Sequence, residues 1–337
     1  MRISRRELLK ELGAAAVFSM FSRLGRSSTL PGTAPGIQLG WISNVEYAGE
    51  YVAQQNRFYT DQGIQPEFRP GGPEVDGISQ LVSGKALCTL NNLVSVAHSI
   101  SNGARLKVIA ATFQKDPLTI ISLPKSPLKT PKDIIGKRIG VSPAQYLFFS
   151  AFCKINQIDL KQVKIVPVGF DPAPLVTGQV DGFLSFLTNQ PVALREQGIE
   201  TEALVWADFG WNQFTNCFIV REDALADRTK REELVKVLRG TVLGWQEVIR
   251  DPDSAARLMV RLFGDRFGLK ESTQINSARA EIPFIQTAET ISNGLLTMSD
   301  RAIDACIEST RQTGVNIDRN VFCTELINEA VKGISRG

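Results

Sequence analysis

From about residue 37 to residue 220, short β-rich runs alternate with amphipathic helical stretches, and most of the breaks carry Gly or Pro. This alternation predicts an α/β fold, because parallel strands need a crossover helix between them. In the first set, Tyr47, Ala48, Tyr51, Val52, Phe58 and Tyr59 form a helical stripe ending at Gly63, and a strand follows near 65–69. A helix carrying Ile78, Leu81 and Val82 stops at Gly84, and another over 93–100 stops near Gly103. Strands are predicted at 87–90 and 106–112. Beyond a proline-marked connector at 124–131, a second set has strands at 138–142 and 163–168 around a helix at 145–155. Leu175-Val176-Thr177-Gly178-Gln179-Val180 echoes Leu81-Val82-Ser83-Gly84-Lys85-Ala86, which predicts two lobes built alike. Phe218-Ile219-Val220 is expected to pair with 119–123 as hinge strands. Helices at 231–250, 254–263 and 299–312 are expected to complete the first lobe and brace the hinge.

In an open parallel sheet, ligands bind where strands end and helices begin. Trp41 follows the first strand and is placed to stack on a planar ligand, with Asn44 and Tyr47 beside it. Asn44 is equally suited to cap the following helix, and Tyr47 belongs to that helix's apolar stripe. Gly71 and Gly72 allow close backbone approach, or simply a tight turn. Asn91 and Asn92 follow an apolar strand, and one of them suits a helix cap. From the second set, Ser142, Gln145 and Tyr146 occupy the first strand-to-helix junction, Phe170 and Asp171 the second, and Phe186 and Asn189 the third. Trp211 and Asn212 precede the return crossover, where they could seal the cleft edge.

Gly40-Trp41, the segment Tyr47-Ala48-Gly49-Glu50-Tyr51-Val52-Ala53, Gly71-Gly72-Pro73 and Gly169-Phe170-Asp171-Pro172 resemble the solute-binding proteins of ABC importers. The resemblance is to the SsuA/THI5-like branch grouped with the yeast-type thiamin-pyrimidine synthases. That branch includes binders of thiamin pyrimidine precursors and of riboflavin, with sulfonate and nitrate binders as neighbours. It implies a two-lobed periplasmic-binding-protein fold of type II, with two hinge crossovers and extra C-terminal helices. The expected division is 35–122 plus 219–337 for lobe 1 and 123–218 for lobe 2. It also implies capture of a small planar heterocycle by a monomer and delivery to an ABC permease, without a cofactor. A thiamin-pyrimidine synthase-like enzyme and a sulfonate or nitrate receptor are the alternatives. The segment Ser142-Pro143-Ala144-Gln145-Tyr146 is interrupted by proline and lacks the acidic residues frequent there in the branch, which counts against a cationic pyrimidine amine.

Ser4-Arg5-Arg6-Glu7-Leu8-Leu9-Lys10, a modest apolar run over 13–21 and a Ser/Gly/Pro-rich stretch resemble a twin-arginine signal. The expectation is export by the twin-arginine machinery, cleavage near residue 34 and a periplasmic mature protein. The first 34 residues hold six basic and two acidic residues, more than the whole formal charge of +3. The remainder is near neutral, so nucleic-acid binding loses its electrostatic motive. Five widely spaced cysteines among apolar neighbours read as buried thiols. His98, the single histidine, sits mid-helix, and no nucleophile elbow, phosphate loop or metalloprotease motif occurs, so no enzyme is expected.

Overall fold

The structure, a computed structural model, describes residues 35–335; the export segment predicted over 1–34 lies outside them. Two five-stranded sheets organise the chain. The first contains β1 (Gly36–Gln38), β2 (Glu67–Arg69), β3 (Cys88–Asn91), β4 (Leu106–Phe113) and the late strand β10 (Thr215–Arg221), in the order β2-β1-β3-β10-β4. The second contains β5 (Leu118–Ser122), β6 (Arg138–Val141), β7 (Lys164–Pro167), β8 (Gly182–Phe186) and β9 (Glu202–Val205), in the order β7-β6-β8-β5-β9.

The two sheets share one plan. Three parallel strands are followed by an antiparallel one, β10 against β3 and β4, β5 against β8 and β9. The echoed segments occupy matching places in it, each ending a helix with a left-handed glycine, Gly84 or Gly178, just before the third parallel strand. β10 and β5 therefore do not pair with each other, contrary to the expectation that 218–220 pairs with 119–123. Each instead inserts into a sheet as an apolar run buried on both faces. Residues 118–122, assigned above to the first lobe, lie in the second sheet.

The chain passes between the sheets at 114–117 and again between β9 and β10. Asp116 sits at the first passage, nearly without exposure. Its carboxylate accepts from Asn92 Nδ2 at 2.9 Å, Trp211 Nε1 at 2.8 Å and the Leu118 amide at 2.9 Å. Burial still holds its pKa above the ordinary value, although these donors and Thr215 oppose it.

The Tyr47 stripe runs only to Gln55 as an α-helix (Ala48–Gln55), because Arg57 adopts φ +65° and turns the chain. That helix packs tightly on the long Arg228–Arg250 helix. A Cβ at Gly244 would lie 1.9 Å from the Gly49 carbonyl oxygen, so only glycine permits this approach. The Glu271–Ile285 helix escaped sequence reasoning; it is weakly amphipathic and contains Pro283. It packs over the 45–47 turn, where Gln274 Oε1 accepts from the Val45 amide at 3.1 Å. Among the described residues no helix is long and apolar enough to cross a membrane. Four of the five free thiols are buried and Cys323 is half-buried.

Candidate functional site

The parallel strands of both sheets end toward one cavity. After β1 come Gly40 and Trp41, then Glu46 and Tyr47 from the following turn. Asn91 and Asn92 come from the end of β3. Gln145, Phe148, Phe186, Asn189 and Gln190 come from the strand-to-helix junctions of the second sheet. The antiparallel strands contribute their opposite ends, Leu118 of β5 and Thr215 and Asn216 of β10.

Trp41, Phe148 and Phe186 are half-buried aromatic surfaces on the lining, suited to the faces of a flat ring. Glu46 supplies the only carboxyl among the lining residues, and no Lys or Arg joins it. Burial pushes its pKa up to about 7, against the pull of Asn216 and Tyr47, with Asp116 adding repulsion. Glu46 therefore changes between donor and acceptor near neutral pH. Behind it, fully buried Glu50 is pushed up to about 8 by burial, and Glu281 of the 271–285 helix is also driven well upward.

The Tyr47 hydroxyl and Asn216 Nδ2, both buried on the lining, interact with Glu46 without reaching full hydrogen-bond geometry. Buried donors and acceptors are nearly always paired, so a ligand atom here can complete what Glu46 supplies only in part. Asn216 also holds φ +51° inside a strand, an uncommon conformation for a residue with a side chain. Other amides are already engaged. Gln145 Oε1 accepts from Ser142 Oγ at 2.9 Å, and Gln190 Oε1 from Ser185 Oγ at 2.6 Å.

Seven residues singled out from the sequence meet at this cavity: Trp41, Tyr47, Asn91, Asn92, Gln145, Phe186 and Asn189. Asn92 is at the same time the cap of the Leu93–Ser101 helix. The other candidates lie elsewhere. Asn44 is buried and accepts from the Glu46 amide, so it shapes the turn that aims Glu46. Gly71 is pressed against the backbone of Leu39 and Trp41, and Gly72 is buried. Ser142 has no exposure and orients Gln145. Tyr146 and Phe170 are exposed, and Asp171 caps a short helix by accepting from the Ala173 amide.

Trp211 does not seal the cleft edge. It is fully buried, set edge-to-face on Trp206 and tied to Asp116, because its loop forms the second passage between the sheets. Its neighbour Asn212 donates its backbone N–H to Ser309 Oγ. Sequence reasoning missed Gly40, Glu46, Leu118, Phe148, Gln190, Thr215 and Asn216 as lining residues. Glu46 alone had a usable signal, an acid flanked by an apolar residue on one side and the Tyr47 stripe on the other.

A family profile described as NMT1/THI5 like matches residues 44–255. The chain belongs to the NMT1/THI5-like family. Its relatives include the riboflavin-binding protein RibY of Chloroflexus aurantiacus, 26% identical over 79% of this chain and 78% of that protein. A formylaminopyrimidine-binding protein of Halalkalibacterium halodurans is 20% identical over 77% and 76%. The family likeness extends to an enzyme, the 4-amino-5-hydroxymethyl-2-methylpyrimidine phosphate synthase of Legionella pneumophila, 26% identical over 66% and 71%. Among solved structures, a ligand-binding component of an ABC-type import system from Staphylococcus aureus superposes with a TM-score of 0.64 at 15% identity, covering 90% and 99% of the two chains. A Candida albicans protein with the generic periplasmic binding protein fold gives 0.60 at 13%, covering 90% and 95%. The fold is that of the periplasmic binding proteins.

Proposed function

We propose that this protein is an exported solute receptor that captures a small planar heterocycle between two hinged lobes and delivers it to an ABC permease in the cytoplasmic membrane. The lobes are the halves built on the two sheets, with Asp116 at the crossing. The observation that carries the proposal is the cavity itself. Aromatic faces, amides and one titratable carboxyl converge there, with the Tyr47 hydroxyl and Asn216 Nδ2 only partly satisfied by Glu46. A ring nitrogen or amino group can meet Glu46, while a ring carbonyl or nitrogen can accept from Asn216 Nδ2. Binding to riboflavin or a pyrimidine precursor, as the names of two relatives describe for themselves, fits this chemistry.

A sulfonate or nitrate cargo does not fit. An anion calls for cationic or N–H donors, and this lining places a buried carboxyl in its path without Lys or Arg. Turnover is also poorly served. The lining offers no histidine, cysteine or lysine, so Glu46 would have to act as base without a nucleophile beside it.

Calorimetric titration of the full chain with riboflavin, an aminopyrimidine, an aliphatic sulfonate and nitrate tests the proposal. One-to-one binding of an aromatic heterocycle, recovered chemically unchanged, is the expected result. Binding of the sulfonate or nitrate alone, or conversion of the heterocycle, would overturn it.

A further inference from the structure

The Glu271–Ile285 helix meets both halves of the molecule within its first two turns. Ser272 Oγ, Thr273 Oγ1 and Asn276 Nδ2 donate to the Glu196 carboxylate at 3.0, 2.5 and 2.7 Å. Glu196 ends the Gln190–Glu196 helix of the second half, whose first residue lines the cavity. Gln274 Oε1 accepts from the Val45 amide of the first half, across 229 residues of chain. Gln274 lies between Thr273 and Asn276, so about one helical turn holds both partners. The rest of the helix is fixed to the first half. Arg279 pairs with Asp253, and Glu271 with Arg257, both on the Pro252–Phe267 helix. The Phe284 carbonyl accepts from the Gln114 amide at 2.8 Å, at the first passage between the sheets.

The Val45 bond bears on the cavity because of where Val45 stands. It opens the Val45–Tyr47 turn, whose next residue is Glu46, the lining carboxyl. Asn44 Oδ1 accepts from the Glu46 amide at 2.9 Å and Gln274 from the amide before it, so two successive N–H groups are fixed, one locally and one from afar. Gln274, Ser277 and Glu281 recur on one face of the helix and are nearly without exposure, although polar side chains are mostly found at the surface. An apolar residue in place of Gln274 would fill the same space but leave the buried Val45 amide unpaired.

We infer that this helix links the two halves to the cavity, with Glu196 setting the place of its first turns and Gln274 acting as a positioning residue that carries that placement to Glu46. The inference rests on the hinged-receptor reading, to which it adds a path from movement of the second half to the ligand-facing carboxyl. Glu196 is exposed, so its bonds break and re-form readily, whereas the Val45 bond is buried and follows the helix.

Hydrogen exchange of the full chain, read over residues 44–48, tests the link without any cargo. Glu196→Ala should raise exchange there about threefold or more and leave the 106–113 strand unchanged. Gln274→Met keeps the bulk and removes the acceptor. It should raise exchange about tenfold, and adding Glu196→Ala to it should change nothing further. Unchanged exchange in Glu196→Ala, or additive effects in the double variant, overturns the link. Should Gln274→Met not fold, Glu196→Ala decides the link by itself. Positioning is read separately, from the pH profile of binding. Burial raises Glu46 to about 7 in the company of Asn216, Tyr47, Asp116 and the carboxyls of Glu50 and Glu281. With riboflavin as the probe, Gln274→Met should move the midpoint of the affinity profile about half a pH unit or more below that of the parent, because water reaches a loosened Glu46. A uniform loss of affinity at every pH would make Gln274 a packing residue and overturn its positioning role. If neither riboflavin nor an aminopyrimidine binds the parent, the receptor reading falls, and the exchange result still decides the link.

Discussion

Glu50 offers a direct test of the buried-acid reading. It has no exposure. Burial raises its pKa from 4.5 to about 8, outweighing the hydrogen bonding of its own backbone and Trp245, with Glu46 adding repulsion. A raised folded pKa means that the native state holds a proton the unfolded chain has released. Stability is therefore full below about pH 4.5 and declines as pH climbs toward 8. Between pH 5.5 and 7.5 the slope approaches its limit of ~1.4 kcal/mol per pH unit, so Glu50 alone removes about 2–3 kcal/mol. At roughly 2 °C per kcal/mol for a chain of this size, that is about 5 °C of melting temperature. Glu50→Gln keeps the shape and cannot ionise. Thermal scans of both proteins at the two pH values should show the variant's advantage in melting temperature growing by about 5 °C from pH 5.5 to pH 7.5. The same decline in both proteins would refute the argument, because it would mean that the Glu50 charge carries no cost where it sits.

Three further outcomes are expected. Trp41→Ala should weaken heterocycle binding about tenfold or more with little change in melting temperature, since the ring is half-buried at the cavity wall; a large loss of fold with unchanged affinity would make it a core residue. Asn216→Gly should fold within about 1 kcal/mol of the parent, because φ +51° suits glycine, yet lose affinity through the missing amide donor. Unchanged calorimetric affinity would remove Asn216 from the site. Glu196→Ala should speed ligand release about fivefold in stopped-flow traces with association little changed. Glu196, on a helix of the second half, accepts from Ser272, Thr273 and Asn276 of the 271–285 helix, bonds that outweigh its desolvation and lower its pKa. Unaltered release would show that these bonds do not hold the two halves on the ligand.

The order of strands and helices was largely legible in the sequence, because each element rests on local signals. The period of the apolar residues marked the helices, and Gly84, Gly103 and Gly178 stopped or separated them at left-handed positions. The echo between 81–86 and 175–180 carried the internal repetition, since equivalent helix-to-strand turns need the same small set of residues. The ends of β1, β3, β6 and β8 were legible as ligand-facing for the same reason, and seven of the residues chosen there line the cavity. Strand partners were not legible. β5 and β10 are similar apolar runs, and only the stacking of whole sheets places one in each.

The polar character of the site was likewise settled by tertiary structure. Asn216 reaches the lining because β10 returns, antiparallel, beside β3, and Trp211 is withdrawn from it by Asp116. Glu46 looked like an ordinary acid at the start of a helix. Its environment comes from Asn216, Asp116 and the Glu271–Ile285 helix, all distant in the chain, and only their convergence removes the water that would keep its pKa low. Local backbone preference therefore determined which elements form, while desolvation and pairing between remote segments determined what the cavity can bind.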